Sequence, residues 1–207
     1  MKYIKLIVPR IILILISIQV VNASANDEQQ VYQQVTLATD NILAVLVDPT
    51  KSKSAKSDAI FTIANSLIDF DLMAKLSIGS SGWEKLSSDQ KDEYLSLFVE
   101  RIRSLYLKTI FAYSKQEIIV EKAEKYKSRR ISISTYIRDN NENIELLYKF
   151  YRNKENLWQA YDIRVDGVSI LQIERSQYKE LLETYTVDDF LKKLKQNSEL
   201  RKTTVHN

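Results

Sequence analysis

The residues of this 207-residue chain whose spacing suggests chemistry are carboxylates. Asp69 and Asp71 flank Phe70, and Asp162 and Asp166 form a second close pair, an arrangement that acid/base catalysis or a bound cation would use. Neither pair has the partners such chemistry needs. The chain contains no Cys, and its one His, His206, stands beside the C-terminus, which removes disulfides, thiolate nucleophiles, Cys/His zinc sites and any Ser-His-Asp machinery. With only three glycines, Gly79, Gly82 and Gly167, neither a GxGxxG turn nor a Walker-type phosphate loop can be assembled. Helix capping and turn hydrogen bonding account for both aspartate pairs, so no catalytic residue is assigned and neither a metal nor a cofactor is expected. The cluster Lys122, Lys125, Lys127, Arg129 and Arg130 could meet anionic head groups or an acidic partner, although a charge run around a strand connection is usually a solvated edge guarded against pairing.

The elements that must position these residues begin after a targeting segment. Lys2, Lys5 and Arg10 are the only charges in the first twenty-five residues, an apolar stretch runs from Ile11 to Val21, and Ala23-Ser24-Ala25 supplies small residues for a peptidase. This predicts a signal peptide over residues 1–25, cut after Ala25, and a single mature domain over 26–207, in an exported setting. All three charges removed are basic, so 30 Lys+Arg against 27 Asp+Glu becomes 27 against 27 in the mature chain. A nucleic-acid binder would need a basic stripe to displace phosphate counterions, and the balance argues against one.

Val31, Val35, Ile42, Val45 and Leu46 recur at helical spacing over Glu28 to Val47, before Asp48-Pro49 ends the pattern. A Lys/Ser loop is expected over Lys51 to Ser57, then short helices over Ala59 to Leu67 and Leu72 to Ile78, closed by a Gly79-Ser80-Ser81-Gly82 turn. Ser87-Ser88-Asp89-Gln90 reads as a capping box that starts a long helix at Ser88, running to about Tyr113. One face of that helix carries Tyr94, Phe98, Ile102, Leu105, Tyr106, Thr109 and Ile110, a stripe that must lie against something apolar.

Beyond Ser114 the period falls to two. Ile118 and Val120 open one strand, and Ile131, Ile133, Thr135 and Ile137 alternate with polar residues in a second. Strands over Glu142 to Arg152, Leu157 to Val165 and Val168 to Glu174 follow, the last two joined by a type I′ turn at Asp166-Gly167. That turn sets Val165 opposite Val168 and Ile163 opposite Ile170. A four-residue loop at Asn153 to Asn156 sets Tyr148 opposite Tyr161, Leu146 opposite Ile163 and Ile144 opposite Val165. A two-residue turn at Asn140-Asn141 sets Ile137 opposite Ile144, Thr135 opposite Leu146, Ile133 opposite Tyr148 and Ile131 opposite Phe150. All three place one broad apolar face across four strands of a meander. Helices over Ser176 to Thr184 and from the Thr186-Val187-Asp188-Asp189 cap close the chain, with a frayed tail from Ser198. The expected fold is α+β: an antiparallel meander of about five strands with helices packed on one face. The apolar layer between them is either an ordinary core or a cavity for an apolar ligand, and periodicity alone does not separate the two.

The stretch Leu157-Trp158-Gln159-Ala160-Tyr161-Asp162-Ile163-Arg164-Val165-Asp166-Gly167-Val168-Ser169-Ile170 resembles the MlaC or toluene-tolerance family of periplasmic phospholipid-shuttle proteins. The resemblance continues through Gln177-Tyr178 and Leu181-Leu182, and back to Phe70-Asp71, Met73-Ala74, Ile78-Gly79, Ser87 to Gln90, Tyr94, Phe98 and Tyr106, covering most of the mature chain. It implies a carrier, not an enzyme, that holds the acyl chains of a phospholipid between the sheet face and the helices. It also implies partners, an outer-membrane lipoprotein complex and an inner-membrane MCE-domain/ABC transporter complex, with a monomeric shuttle maintaining outer-membrane lipid asymmetry. The pocket implied is lined by Phe98, Ile102, Leu105, Tyr106 and Ile110 of the long helix, by Ile133, Ile137, Ile144, Leu146 and Tyr148, and by Tyr161, Ile163, Val165, Val168 and Ile170. A hopanoid or other polycyclic lipid is the alternative cargo, and a protein-binding adaptor without a cavity is the alternative function. Tyr185 stands where the family often has a glycine before its last helix, and the balanced charge differs from more basic relatives. N-terminal sequencing of the exported protein should therefore read from Asn26, and a chain that retains Met1 in a membrane fraction would refute the cleavage.

Overall fold

The computed structural model describes residues 7–111, 116–138 and 143–205. Helix α1 runs from Ile7 to Val47, so the helix expected over Glu28–Val47 is the second part of a longer one. Its inward residues Val31 and Val35 are buried, and it is clipped to the sheet at Asp27. That carboxylate lies 3.0 Å from Lys125 Nζ and 3.2 Å from Arg152 Nη1, while Glu28 Oε1 accepts the backbone N–H of Lys125 at 2.8 Å. The Lys/Ser stretch is helical rather than a loop. Helix α2 spans Lys53–Leu67, because the Ser52 hydroxyl caps it by accepting from Ala55 N at 3.2 Å and the following residues tolerate a helix well.

The helical run Phe70–Lys85, α3, is broken at Gly79, the start of the expected Gly79–Gly82 turn, and a second helical stretch follows the kink. Gly79 takes φ 72°, which an L side chain rarely adopts, and the helix resumes beyond it. Gly82 matters for space: a Cβ there would stand 2.7 Å from Ile78 Cγ1 and 3.0 Å from Leu182 Cδ1. Helix α4, Ser88–Phe111, begins with both bonds of the capping box, Gln90 N to Ser87 Oγ at 3.3 Å and Ser87 N to Gln90 Oε1 at 2.9 Å.

The sheet has six strands, β1 Glu117–Val120, β2 Glu124–Lys127, β3 Arg130–Arg138, β4 Asn143–Arg152, β5 Trp158–Val165 and β6 Val168–Ser169, in the order β1-β3-β4-β5-β6. Strand β2, unforeseen in the basic cluster, pairs with β3 on the same side as β1, with Lys125 opposite Ile131. The β3/β4 register is the expected one throughout, Ile131 opposite Phe150, Ile133 opposite Tyr148, Thr135 opposite Leu146 and Ile137 opposite Ile144. The Asn140-Asn141 turn itself lies outside the described residues.

The β4/β5 register differs. Tyr148 faces Ile163 and Leu146 faces Val165, with Phe150 opposite Ala160 and Arg152 opposite Trp158. Two one-residue shifts produce this, a connection one residue longer than expected, with Asn156 at φ 62°, and a β-bulge that leaves Tyr161 unpaired. The shifts cancel in parity for Ile163 and Val165. Tyr161 instead stacks edge-on against Tyr151, 5.9 Å between ring centres, and shares the Arg130 guanidinium with it on the solvent side of the sheet.

The strand expected over Val168–Glu174 is two residues long. The Asp166-Gly167 turn and the Val165–Val168 pair are as expected, but Ser169 then caps helix α5, Ile170–Thr184, by accepting from Gln172 N at 3.1 Å. The same hydroxyl donates to Asp162 Oδ1 at 2.8 Å, so Ile170 turns away from Ile163 into a helix. Helix α6, Val187–Val205, starts at Thr186, whose hydroxyl accepts from Asp189 N, and it continues past Ser198, which is buried.

Helices α3, α4, α5 and α6 meet around one aromatic cluster and one buried ion pair. Tyr94 lies 6.0 Å from both Tyr178 and Phe190, and its hydroxyl bonds to Ser77 Oγ at 2.6 Å and to the Ala74 carbonyl at 3.0 Å. Arg101 Nε donates to both oxygens of Glu174, at 2.9 and 2.7 Å, and the carboxylate is almost fully buried. Removing one member of such a pair strands the other charge. Arg101→Met should lower unfolding stability by about 3 to 5 kcal/mol, and pairing it with Glu174→Leu should restore much of that loss in denaturant titrations.

Candidate functional site

The alternation of β3 puts Ile131, Ile133, Thr135 and Ile137 on the helix side, and cross-strand pairing brings Phe150, Tyr148, Leu146 and Ile144 of β4 beside them. Ala160, Ile163 and Val165 extend the same face across β5. The face divides into two halves. In one, Ile131, Ile133, Phe150, Trp158, Ala160 and Ile163 are sealed, packed in a single cluster with Phe98 and Ile102 of α4. In the other, Ile118, Ile137, Ile144, Leu146, Tyr148 and Val165 are only partly covered. The surroundings of Tyr148 still exclude enough water that burial pushes its phenol up to about 12.

The α4 stripe divides in the same way. Tyr94, Phe98 and Ile102 are fully buried, Leu105 is 40% exposed and Ile110 is half-buried. The side chain of Tyr106 lies outside the described residues. Of the remaining residues expected at the site, Val168 is 54% exposed at the hairpin and Ile170 is half-buried at the start of α5. Tyr161 is on the other face of the sheet, for the reason given by the bulge. The structure thus brings the central sheet residues and Phe98/Ile102 together, packs Ile170 against that cluster, and leaves Tyr161 and Val168 apart from it.

Thr135 was not among the expected lining residues. It is the polar member of an otherwise isoleucine alternation, which is the only signal the sequence offers. Its hydroxyl is buried without a hydrogen-bond partner, opposite Val120 on one side and Leu146 on the other, at the border between the sealed and open halves.

The carboxylates and basic residues have structural duties. Asp69 caps α3 by accepting from Leu72 N at 2.8 Å and also accepts from the Tyr151 hydroxyl. Asp162 is held by Ser169, and Asp166 Oδ1 accepts from Glu145 N at 2.9 Å. In the basic cluster, Lys125 is engaged by Asp27, Arg129 donates to the Arg152 and Asn153 carbonyls, and Arg130 lies against two tyrosine rings. Among the described residues no group of three or more His, Cys, Asp or Glu side chains is placed to hold a metal ion, and no helix is long and apolar enough to cross a membrane.

A separate groove of about 910 Å³ runs between α2 and α4, with Phe61, Leu95, Val99, Leu107 and Phe111 along it and no sheet residue in its lining. The Arg103 guanidinium lies 4.9 Å from the Phe61 ring centre, and Lys53 Nζ 5.6 Å from that of Phe111.

Helices gathered over one face of an open antiparallel sheet, with an apolar interior sealed at one end and partly covered at the other, define an α+β domain. The chain belongs to the MlaC protein family, whose pattern matches residues 36–196. It is 26% identical over 125 residues to the intermembrane phospholipid transport system binding protein MlaC of Haemophilus influenzae. That match spans 57% of each chain, just over half the length of the curated relative. A phospholipid-binding protein from Ralstonia solanacearum, solved in complex with a phospholipid, has the same fold, with a TM-score of 0.71 at 16% identity over 82% of this chain and 97% of that one.

Thr135→Val keeps the shape of the side chain and removes a buried hydroxyl that has no partner. Thermal unfolding of the ligand-free variant should match the parent or rise by up to about 1 kcal/mol, whereas a loss of that size would mean the hydroxyl is bonded in solution.

Proposed function

We propose that this chain is a carrier of glycerophospholipid, exported to the periplasm, that holds acyl chains on the open half of the sheet face and delivers them between membrane-bound complexes. The observation that carries this reading is the uneven covering of one apolar face. Ile137, Ile144, Leu146, Tyr148 and Val165 continue the alternation of the sealed core yet remain partly exposed, and Leu105 continues the α4 stripe at 40% exposure. A closed core would cover such residues more fully, and apolar surface left partly uncovered supports a binding site there. Membership of the MlaC family and the phospholipid held by the Ralstonia solanacearum neighbour support the same cargo.

Energetics favours delivery at a docked partner over release into water. Burying a CH₂ contributes about 0.8 kcal/mol, so two chains of roughly 15 carbons approach or exceed ~20 kcal/mol, near the ceiling for non-covalent affinity. A ligand held that tightly leaves on a useful timescale only where another apolar path meets the pocket. An inner-membrane MCE-domain/ABC transporter complex and an outer-membrane lipoprotein complex are the partners this reading assigns, with lipid asymmetry of the outer membrane as the outcome. The reading includes no reaction on the lipid.

Mass spectrometry of lipid extracted from the purified protein should find diacyl glycerophospholipid at a fixed ratio to protein. A polycyclic lipid would change the cargo, and an empty protein from every preparation would refute carriage. Leu146→Trp should lower the lipid load several-fold with little change in melting temperature, because the half-covered site can take the added volume. Ile163→Trp, in the sealed half, should instead cost about 1 to 3 kcal/mol of stability. Equal lipid loads in Leu146→Trp and the parent would place the chains elsewhere.

A further inference from the structure

The groove between α2 and α4 lies outside the sheet face. Its lining runs from Lys53 and Phe111 at one end, past Phe61 and Val99, to Leu95 and Asp71 at the other. Sixteen helical residues separate Leu95 from Phe111, which makes the groove about 24 Å long at 1.5 Å per residue. The groove is long enough for one hydrocarbon chain: two opposed leaflets share a core of about 30 Å, so a single chain takes about 15 Å and leaves room along the groove for a head group.

The charges give such a chain a direction. Arg103 is engaged by Asp58 and by Ser57 Oγ at 3.0 Å. Lys53 lies over Phe111 and has no acidic partner among the described residues. Asp71 and Glu100 line the groove nearer its opposite end. An anionic head is therefore favoured beside Lys53 and disfavoured beside Asp71, while the chain covers Leu107, Phe61, Val99 and Leu95.

We propose that the α2/α4 groove is a second ligand site, distinct from the sheet face, that takes a single-chain amphiphile with an anionic head beside Lys53. A free fatty acid and an anionic lysophospholipid share this chemistry. The assignment does not depend on phospholipid carriage by the sheet.

Calorimetric titration of the purified protein tests it with oleate, oleoyl lysophosphatidylglycerol, oleoyl lysophosphatidylcholine and oleyl alcohol. Saturable binding of the two anionic probes is expected, with the other two weaker by about 5-fold, the worth of one exposed charge pair of about 1 kcal/mol. Binding of oleate but not of the lysophospholipid would identify the fatty acid as the ligand, and the converse the lysophospholipid. Lys53→Glu should remove the preference for anionic probes. Ser104→Trp should block uptake by filling the groove, and Ser54→Trp, at an exposed position, serves the same end should the first variant unfold. Leu146→Trp on the sheet face should lower any uptake there while leaving the Lys53-dependent component, with its preference for anionic probes, unchanged. The proposal is overturned if no probe binds, if the groove variants bind as the parent does, or if Leu146→Trp alone abolishes uptake, which would place the amphiphile on the sheet.

Discussion

Tyr94 carries its phenol into a layer where α3, α5 and α6 meet α4 and water is excluded. Desolvation there holds the hydroxyl in its neutral form, with an ionisation far above the ordinary range, and its bonds to Ser77 and to the Ala74 carbonyl offset the loss of hydration. The rings of Tyr178 and Phe190 each lie 6.0 Å from it and 5.5 Å from one another, and two turns further along Arg101 is fixed to Glu174. These contacts fix the first half of α4 in position and in rotation about its axis. A helix rotated by one residue there would turn Phe98 and Ile102 out of the core cluster they share with Ile131, Ile133 and Phe150.

Beyond Ile102, α4 is held to α2 by more exposed contacts, those of Arg103 with Asp58, Ser57 and the Phe61 ring. Its inward stripe passes from buried Ile102 to exposed Leu105, and on its flank the groove toward α2 separates Leu107 and Phe111 from Phe61. One continuous helix therefore serves as a wall of the core at one end and as a border between two apolar surfaces at the other. One end of the helix is thus fixed by buried contacts, while the other borders the two less covered apolar surfaces. Local stability is uneven in proteins generally, and regions with few buried contacts are those from which binding elements are drawn.

Much of this was legible from the sequence where a local rule met a tertiary one. The capping box at Ser87–Gln90, the Asp166-Gly167 turn and the alternation of β3 each depend on a few neighbouring residues, and all three appear as read. The exceptions lie where two local rules compete. Val168 to Glu174 has a plausible strand pattern, but Ser169 is also a good N-cap, and the cap prevails because its hydroxyl gains Asp162 as a second partner. The Lys/Ser segment after Asp48 looks like a loop by composition, yet lysines are good helix formers once Ser52 supplies a cap. Gly79 breaks α3 at a kink, and a second helical stretch follows. Which part of the apolar face is sealed and which is open was not legible at all, since that depends on where α4, α5 and α6 come to rest rather than on any period in the chain.

The bulge that leaves Tyr161 unpaired has a bearing on how this part of the chain can change in length. It resets the alternation of β5, so that Trp158 and Ala160 before it and Ile163 and Val165 after it all face the helices. Between the bulge and the Asp166-Gly167 hairpin there is no slack. Losing or gaining one residue in that run would exchange Ile163 and Val165 for Asp162 and Arg164 on the inner face, burying a carboxylate and a guanidinium in hydrocarbon surroundings. On the other side of the strand, the connection from Asn153 to Leu157 can change length at the surface and pass the difference to the bulge. Insertions and deletions among relatives should therefore collect at that connection and spare the four residues from Asp162 to Val165, whose number is constrained as firmly as their identity.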